Sequence, residues 1–243
     1  MAHGKPDWGL VGPKYTTYGL DDLGEAVVRL DSPVAWDRRG DVIKMVDFEC
    51  GLGDGLIQTS GAGGTYHRST GHTWHGAYSL ELVAGSDLAR SAQFLVFMPR
   101  PSQGGLGYEL WVTSHNDVEY QIMTYDYFYQ NNRYSAGIRF INATNEFQYY
   151  DAAGAYVTFV TLPVYININY VFHIWKLVYN VSDGVYNRFI LDGFSYPLTN
   201  IPVNIVTPLV GERVATQFQV TANGGTNPNC FLDNLIFTQN EPA

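Results

Sequence analysis

The stretch Phe172–Leu198 reads FHIWKLVYNVSDGVYNRFILDGFSYPL. It holds two runs of aromatic and β-branched residues, Tyr170–Val181 and Val185–Leu191, each closed by an Asp-Gly pair. Asp183-Gly184 and Asp192-Gly193 tolerate the positive φ that tight hairpins demand, so the segment reads as consecutive antiparallel strands.

The same signals recur outward from this stretch. Gln93–Pro99, Gly107–Ser114, Glu119–Gln130, Tyr134–Asn142, Phe147–Tyr150, Tyr156–Leu162, Thr216–Val220 and Cys230–Thr238 are short runs rich in β-formers. Turn residues separate them, among them Asn131-Asn132 and Asp151 to Gly154. Regular strands without intervening helical patterns point to an antiparallel sandwich.

Composition agrees. Only 15% of the 243 residues are charged, while 18 Tyr, 13 Phe and 25 Gly suit pleated surfaces and turns. A net charge of -9 leaves no basic stripe to release counterions from a phosphate backbone, so nucleic acid is not an expected partner. No apolar run is long enough for a membrane helix, and MAHGKPDWGL lacks the regions of a secretory signal.

Residues 1–40 read differently from 41–243, and we expect two parts: an N-terminal arm and a β-domain. GKPDWGLVGPKYTTYG is punctuated by Gly and Pro, as an extended arm would be. DDLGEAVVRLDSP then offers Asp21 or Asp22 as an N-cap, Leu23, Val27 and Leu30 at helical spacing, and Pro33 as a stop, which predicts one short helix over about residues 21–30. Trp8, Tyr15, Tyr18, Leu23, Val27, Leu30 and Trp36 cannot form a core alone. They must lie against the main domain or another subunit, and a homo-oligomer held by the arm is the expectation.

The Phe172–Leu198 segment, followed by FLDNLIF, resembles the back half of concanavalin A-like lectin and laminin-G-like jelly rolls. VDFECGLGDG and HGAYSLELVAG are similar to the opening strands of β-jelly-roll carbohydrate-binding modules. The likeness spans roughly residues 46 to 239 and implies an all-β, antiparallel two-sheet jelly-roll sandwich. It also implies a structural Ca²⁺ shared by Glu49 of the opening strand and Asp233 of the closing strand, since hard oxygen ligands suit that ion. Because the opening and closing strands of a jelly roll pair, it further implies that Cys50 and Cys230 lie on adjacent strands. A bridge there would contribute on the order of 4 kcal/mol, and the alternative is a pair of free thiols.

The resemblance does not carry a catalytic motif. The glucanases of this superfamily have alternating acids on one strand, whereas Asp47 with Glu49, Asp117 with Glu119, and Asp126 alone do not provide that array. Around His67, His72, Trp74 and His75, a zinc site would need converging ligands, yet on a strand His72 and His75 point apart. A Gly-rich loop entering a strand with Tyr78, Leu80 and Leu82 in the core is the simpler reading. Tyr125, Tyr127 and Tyr129 alternate along one strand and are expected to form a stacking platform for sugar rings or a partner protein, with Asn131, Asn132 and Arg133 supplying hydrogen bonds. Three functions follow as expectations: a non-enzymatic structural or assembly protein of a virion or extracellular filament, alternatively a secreted carbohydrate-binding module, and behind these a glycoside hydrolase or lyase.

Overall fold

Asp192 and Gly193 adopt φ of 49° and 87°, and Gly184 adopts 66°, so the second Asp-Gly pair and the glycine of the first supply the left-handed corners of hairpins. The structure, a computed structural model, describes residues 39–60, 63–163, 169–207, 213–224 and 227–242. The chain divides into two units at Arg38/Arg39, and the described residues all lie in the second, Arg39–Ala243.

Among the described residues, sixteen strands form two antiparallel sheets. Sheet A runs β13 (Phe194–Pro197), β12 (Val185–Leu191), β11 (Phe172–Asn180), β6 (Gly105–Thr113), β16 (Asn229–Gln239), β4 (Ser79–Val83) and β3 (Thr65–Ser69), with β1 (Asp41–Val46) also on β16. Sheet B runs β10 (Tyr156–Thr161), β9 (Glu146–Tyr150), β8 (Asn132–Ile141), β7 (Val118–Tyr129), β15 (Arg213–Ala222), β5 (Ser91–Pro99) and β2 (Gly55–Ser60), with β14 (Asn204–Val206) on β8. The chain crosses between the sheets repeatedly, at β1–β2, β2–β3, β4–β5, β5–β6, β6–β7, β10–β11, β13–β14 and β15–β16, with the meander β7–β10 inside sheet B and β11–β13 inside sheet A. The short helix is corrected: among the described residues there is no helix, and the fold is all-β. Residues 21–30, to which it was assigned, and the other arm positions up to Trp36 lie outside the described residues.

The core forms where the inner faces meet. Trp175 of β11 packs against Phe140 and Phe147 of sheet B at 6.3 and 5.1 Å between ring centroids, and against Phe189 and Phe218 at 6.3 and 6.1 Å. Tyr108, Tyr125 and Tyr179 meet edge to face beside them, an arrangement favoured by the ring quadrupoles. Tyr186 of β12 reaches across the sandwich. Its hydroxyl accepts from the Gly137 amide at 2.8 Å and donates to the Tyr150 carbonyl at 2.7 Å. This phenol completes sheet B at the end of the β8–β9 ladder, where register pairing stops at Ile138 and Tyr149.

Central strands of sheet A are buried on both faces, so β6, β11, β12 and β16 read as nearly continuous apolar runs. Two cations of these strands, Lys176 and Arg188, share one carboxylate. Glu241 is fully buried and bonds Lys176 Nζ at 2.7 Å and Arg188 Nη2 at 2.8 Å, while Thr238 donates to it at 2.6 Å. Gly107 makes the room: a Cβ there would stand 2.8 Å from the Glu241 carboxylate. Arg188 also donates to the Pro242 carbonyl and Lys176 to that of Arg39, which fastens both ends of the described chain to this face.

Opening and closing strands are adjacent, with Val46 opposite Leu235. The cysteines do not follow. Cys230 faces Leu82 in the buried interior, while Cys50 lies past the end of β1 and is exposed, and both are free. The thiol of Cys230 is pushed up by burial, which keeps it a neutral, unreactive core group.

Candidate functional site

The register of sheet B places one row of side chains across all seven strands of its main path. Gln58 of β2 is opposite Gln93 of β5, which is opposite Gln219 of β15, then Ile122 of β7, Arg139 of β8, Gln148 of β9 and Thr158 of β10. Residues opposite one another in a ladder share a face, and here it is the face turned away from sheet A. Six spacings of about 4.8 Å make the row about 29 Å long. Tyr120, Thr124, Asp126, Tyr150 and Tyr156 flank it on the same face.

Hydrogen bonds hold the row in shape. Gln93 donates to Gln58 at 2.7 Å, and Gln217 to Gln219 at 2.9 Å. Arg139 gives Nε at 2.9 Å and Nη2 at 2.5 Å to the Gln148 carbonyl oxygen, and Gln148 passes its own amide to Thr158 and Glu146. The guanidinium lies over the Tyr156 ring at 4.0 Å and nearer the edge of reach of Tyr120 at 5.6 Å. Burial pushes the Tyr156 phenol up to about 12, against the opposing pull of Arg139, so it is a neutral hydroxyl donor at ordinary pH. Asp126 is also raised by burial, offset by the Ser135 hydrogen bond and the Arg133 charge.

The expected tyrosine platform does not form here. Tyr125 and Tyr127 point into the core and are fully buried, with the Tyr127 hydroxyl on the Pro101 carbonyl at 3.0 Å. Tyr129 is half-buried at the hairpin end, under the Arg100 guanidinium at 4.5 Å. The turn itself is shifted by one residue. Gln130 and Asn131 take φ of 48° and 62°, and Asn132 already pairs with Tyr129 as the first residue of β8. Asn131 is exposed, Asn132 accepts from Thr207, and Arg133 faces Val206 of β14. The residues that line the outer face instead are the alternate set of the same strand, Tyr120, Ile122, Thr124 and Asp126. Period two separates these sets but does not say which one faces in. That choice is made by distant rings, Tyr108 and Tyr179, packing on Tyr125.

Glu49 and Asp233 are brought to a common loop, residues 70–78. Asp233 Oδ2 accepts from the amides of Trp74 and His75 at 2.7 and 2.9 Å. Glu49 Oε1 accepts from those of Ala77 and Tyr78, both at 2.8 Å. Gly76, with φ of 71°, lets the loop close so tightly that a Cβ would sit 2.3 Å from Glu49 Oε1. Asp233 is raised to about 6, chiefly by burial, and its Oδ1 is buried without a partner. The histidines do not converge. His67 is on β3, His72 is stacked on Tyr170 at 4.3 Å, and the backbone of His75 belongs to the Asp233 clasp. Among the described residues no three His, Cys, Asp or Glu side chains cluster as metal ligands. β4 begins at Ser79, so Leu80 and Leu82 are core residues while Tyr78 is half-buried beneath Arg68.

No protein-family model matches the sequence, and no curated protein matches it. Solved structures do resemble it. The cellulose-induced protein Cip1 superposes with a TM-score of 0.52 at 18% identity, covering 80% of this chain and 96% of that one. A protein of unknown function with a galectin-like fold from Bacillus subtilis gives 0.52 at 10% identity, covering 83% and 97%. Lectin I-B4 from Griffonia simplicifolia gives 0.51 at 11% identity, covering 80% and 98%. At these identities the likeness establishes a lectin-like β-sandwich fold.

Proposed function

We propose that this chain is a carbohydrate-binding protein and that the outer face of sheet B is its binding surface. The observation that carries the reading is the row from Gln58 to Thr158, about 29 Å long across seven strands, with polar side chains on six of them and Ile122 on the seventh. Sugars present dense hydroxyls and apolar C–H faces. Fixed amides, a guanidinium held at two of its nitrogens and flanking phenol rings complement both. Arg139→Ala and Tyr156→Ala are each expected to weaken binding to soluble polysaccharides by roughly tenfold or more, the cost of losing one charged hydrogen bond or one stacked ring. Affinity electrophoresis measures this, with circular dichroism to verify the fold. Unchanged mobility shifts in both variants would remove the surface from consideration.

Binding without hydrolysis is the form of this reading we favour. Asp126 and Glu146 are the carboxylates of this face among the described residues. Asp126 lies six residues along β7 from Tyr120, whose row contains Glu146, so the two are about 20 Å apart along the strands. A glycosidase pair needs about 5–9.5 Å. The virion or filament reading has no observation among the described residues in its favour, since the arm on which it rests lies outside them. Among the described residues no helix is long and apolar enough to cross a membrane.

A structural Ca²⁺ belongs to the same proposal. The orphaned, buried Asp233 Oδ1 fits a hard cation, and Asp233 and Glu49 would hold it, with backbone carbonyls completing the shell. Ca²⁺ would anchor the loop and take no part in chemistry. Millimolar Ca²⁺ is expected to raise the melting temperature by several degrees and a chelator to reverse it, because a ligand of the native state stabilises by mass action. Equal melting curves in Ca²⁺ and chelator would end this part of the proposal.

A further inference from the structure

We propose that Trp74 is the platform of a second carbohydrate contact, on the loop of residues 70–78 and separate from the outer face of sheet B. The indole is 55% exposed, although tryptophan has more to gain from burial than any other side chain. Its backbone, by contrast, is fixed. Four consecutive-region amides, those of Trp74, His75, Ala77 and Tyr78, are held by two carboxylates, and His72 is wedged between Tyr170 and Phe231 at 4.3 and 4.7 Å. An edge contact with Phe172 at 6.3 Å sets the angle of the ring without covering it. Ordering a loop this firmly around a solvent-facing indole does nothing for the core, but it removes the entropy cost a flexible loop would incur on binding.

The geometry also selects the occupant. A single indole face matches the C–H face of one pyranose ring, and the next residue on the same loop, His75, is also exposed. The surrounding exposed apolar area is small: Val171 is 42% exposed and Phe172 is half-buried. That is less than a protein partner requires. The contact is therefore with a sugar ring or chain end, on a different element from the long polar row.

The test uses the full chain and isothermal titration with cellohexaose, laminarihexaose, xylohexaose and β-1,4-galactohexaose. Trp74→Ala is expected to weaken binding of at least one of them tenfold or more, and Trp74→Tyr to keep most of the affinity because a flat ring remains. The Trp74-dependent component should persist in the double variant Arg139→Ala, Tyr156→Ala, where the outer face of sheet B is disabled. If the double variant loses all binding while Trp74→Ala leaves every Kd unchanged, the Trp74 contact is overturned and the sheet-B reading stands. The reverse pattern supports Trp74 and removes sheet B. Absence of binding to all four sugars by the wild-type chain overturns both.

Discussion

Glu241→Ala is expected to lower the unfolding free energy by about 3–5 kcal/mol, the range found when one partner of a buried ion pair is removed. The carboxylate is fully buried and shared by Lys176 and Arg188, themselves nearly buried. Removing it takes one anion away from two buried cations on a covered sheet face, a larger loss than the attraction itself. Glu241→Gln should fall between the two, since an amide oxygen can still accept from one cation. Urea unfolding reads the effect as a lowered midpoint with an unchanged slope. A loss under about 1 kcal/mol would place the cluster in the class of solvated surface pairs.

Trp175→Ala should have a similar effect by an unrelated route. Four phenylalanines from both sheets surround the indole, and truncating a large aromatic side chain in such a site costs about 3–5 kcal/mol through lost transfer energy and the cavity left behind. Trp175→Phe should cost less than Trp175→Ala, because a ring still fills most of the site and leaves a smaller cavity, and the indole nitrogen is buried without a hydrogen-bond partner, so none is abandoned. Should the phenylalanine variant prove as unstable as the alanine one, ring size and not mere apolarity would govern the packing.

These stabilities depend on features of unequal visibility in the sequence. The hairpins around Phe172–Leu198 are legible because Asp-Gly chemistry is local: positive φ at Gly184, Asp192 and Gly193 needs no information from elsewhere. The Gln130–Asn131 turn is displaced by one residue from the Asn-Asn reading because both dipeptides can supply left-handed conformers, and the pairing of Tyr127 with Tyr134 decides between them. The face of β7 was not legible at all. Both alternate sets of β7 carry aromatic and apolar residues, Tyr120 and Ile122 on one and Met123, Tyr125 and Tyr127 on the other, and which set faces the interior depends on rings more than fifteen residues away in sequence. The polar row is harder still. Its members come from seven segments, each contributing one unremarkable Gln, Thr, Ile or Arg, and only register assembles them.

Glu49 and Asp233 show a different limit. Their sequence contexts suggest a shared place in the fold, and both do reach the loop of residues 70–78, yet each spends one oxygen on backbone amides. Donor geometry of that kind is invisible in a sequence, because any residue except proline can present an N–H.

The Tyr186 hydroxyl has a mechanical meaning for the outer surface of sheet B. It is rooted in sheet A, yet it closes the end of the ladder beside Gly137 and holds the carbonyl of Tyr150, whose ring flanks the polar row. The two layers are therefore pinned at a point directly beneath the exposed surface, so a shear of one layer against the other would drag that surface with it. A force applied through a bound polymer would be borne by the whole sandwich and not by a single peeling strand.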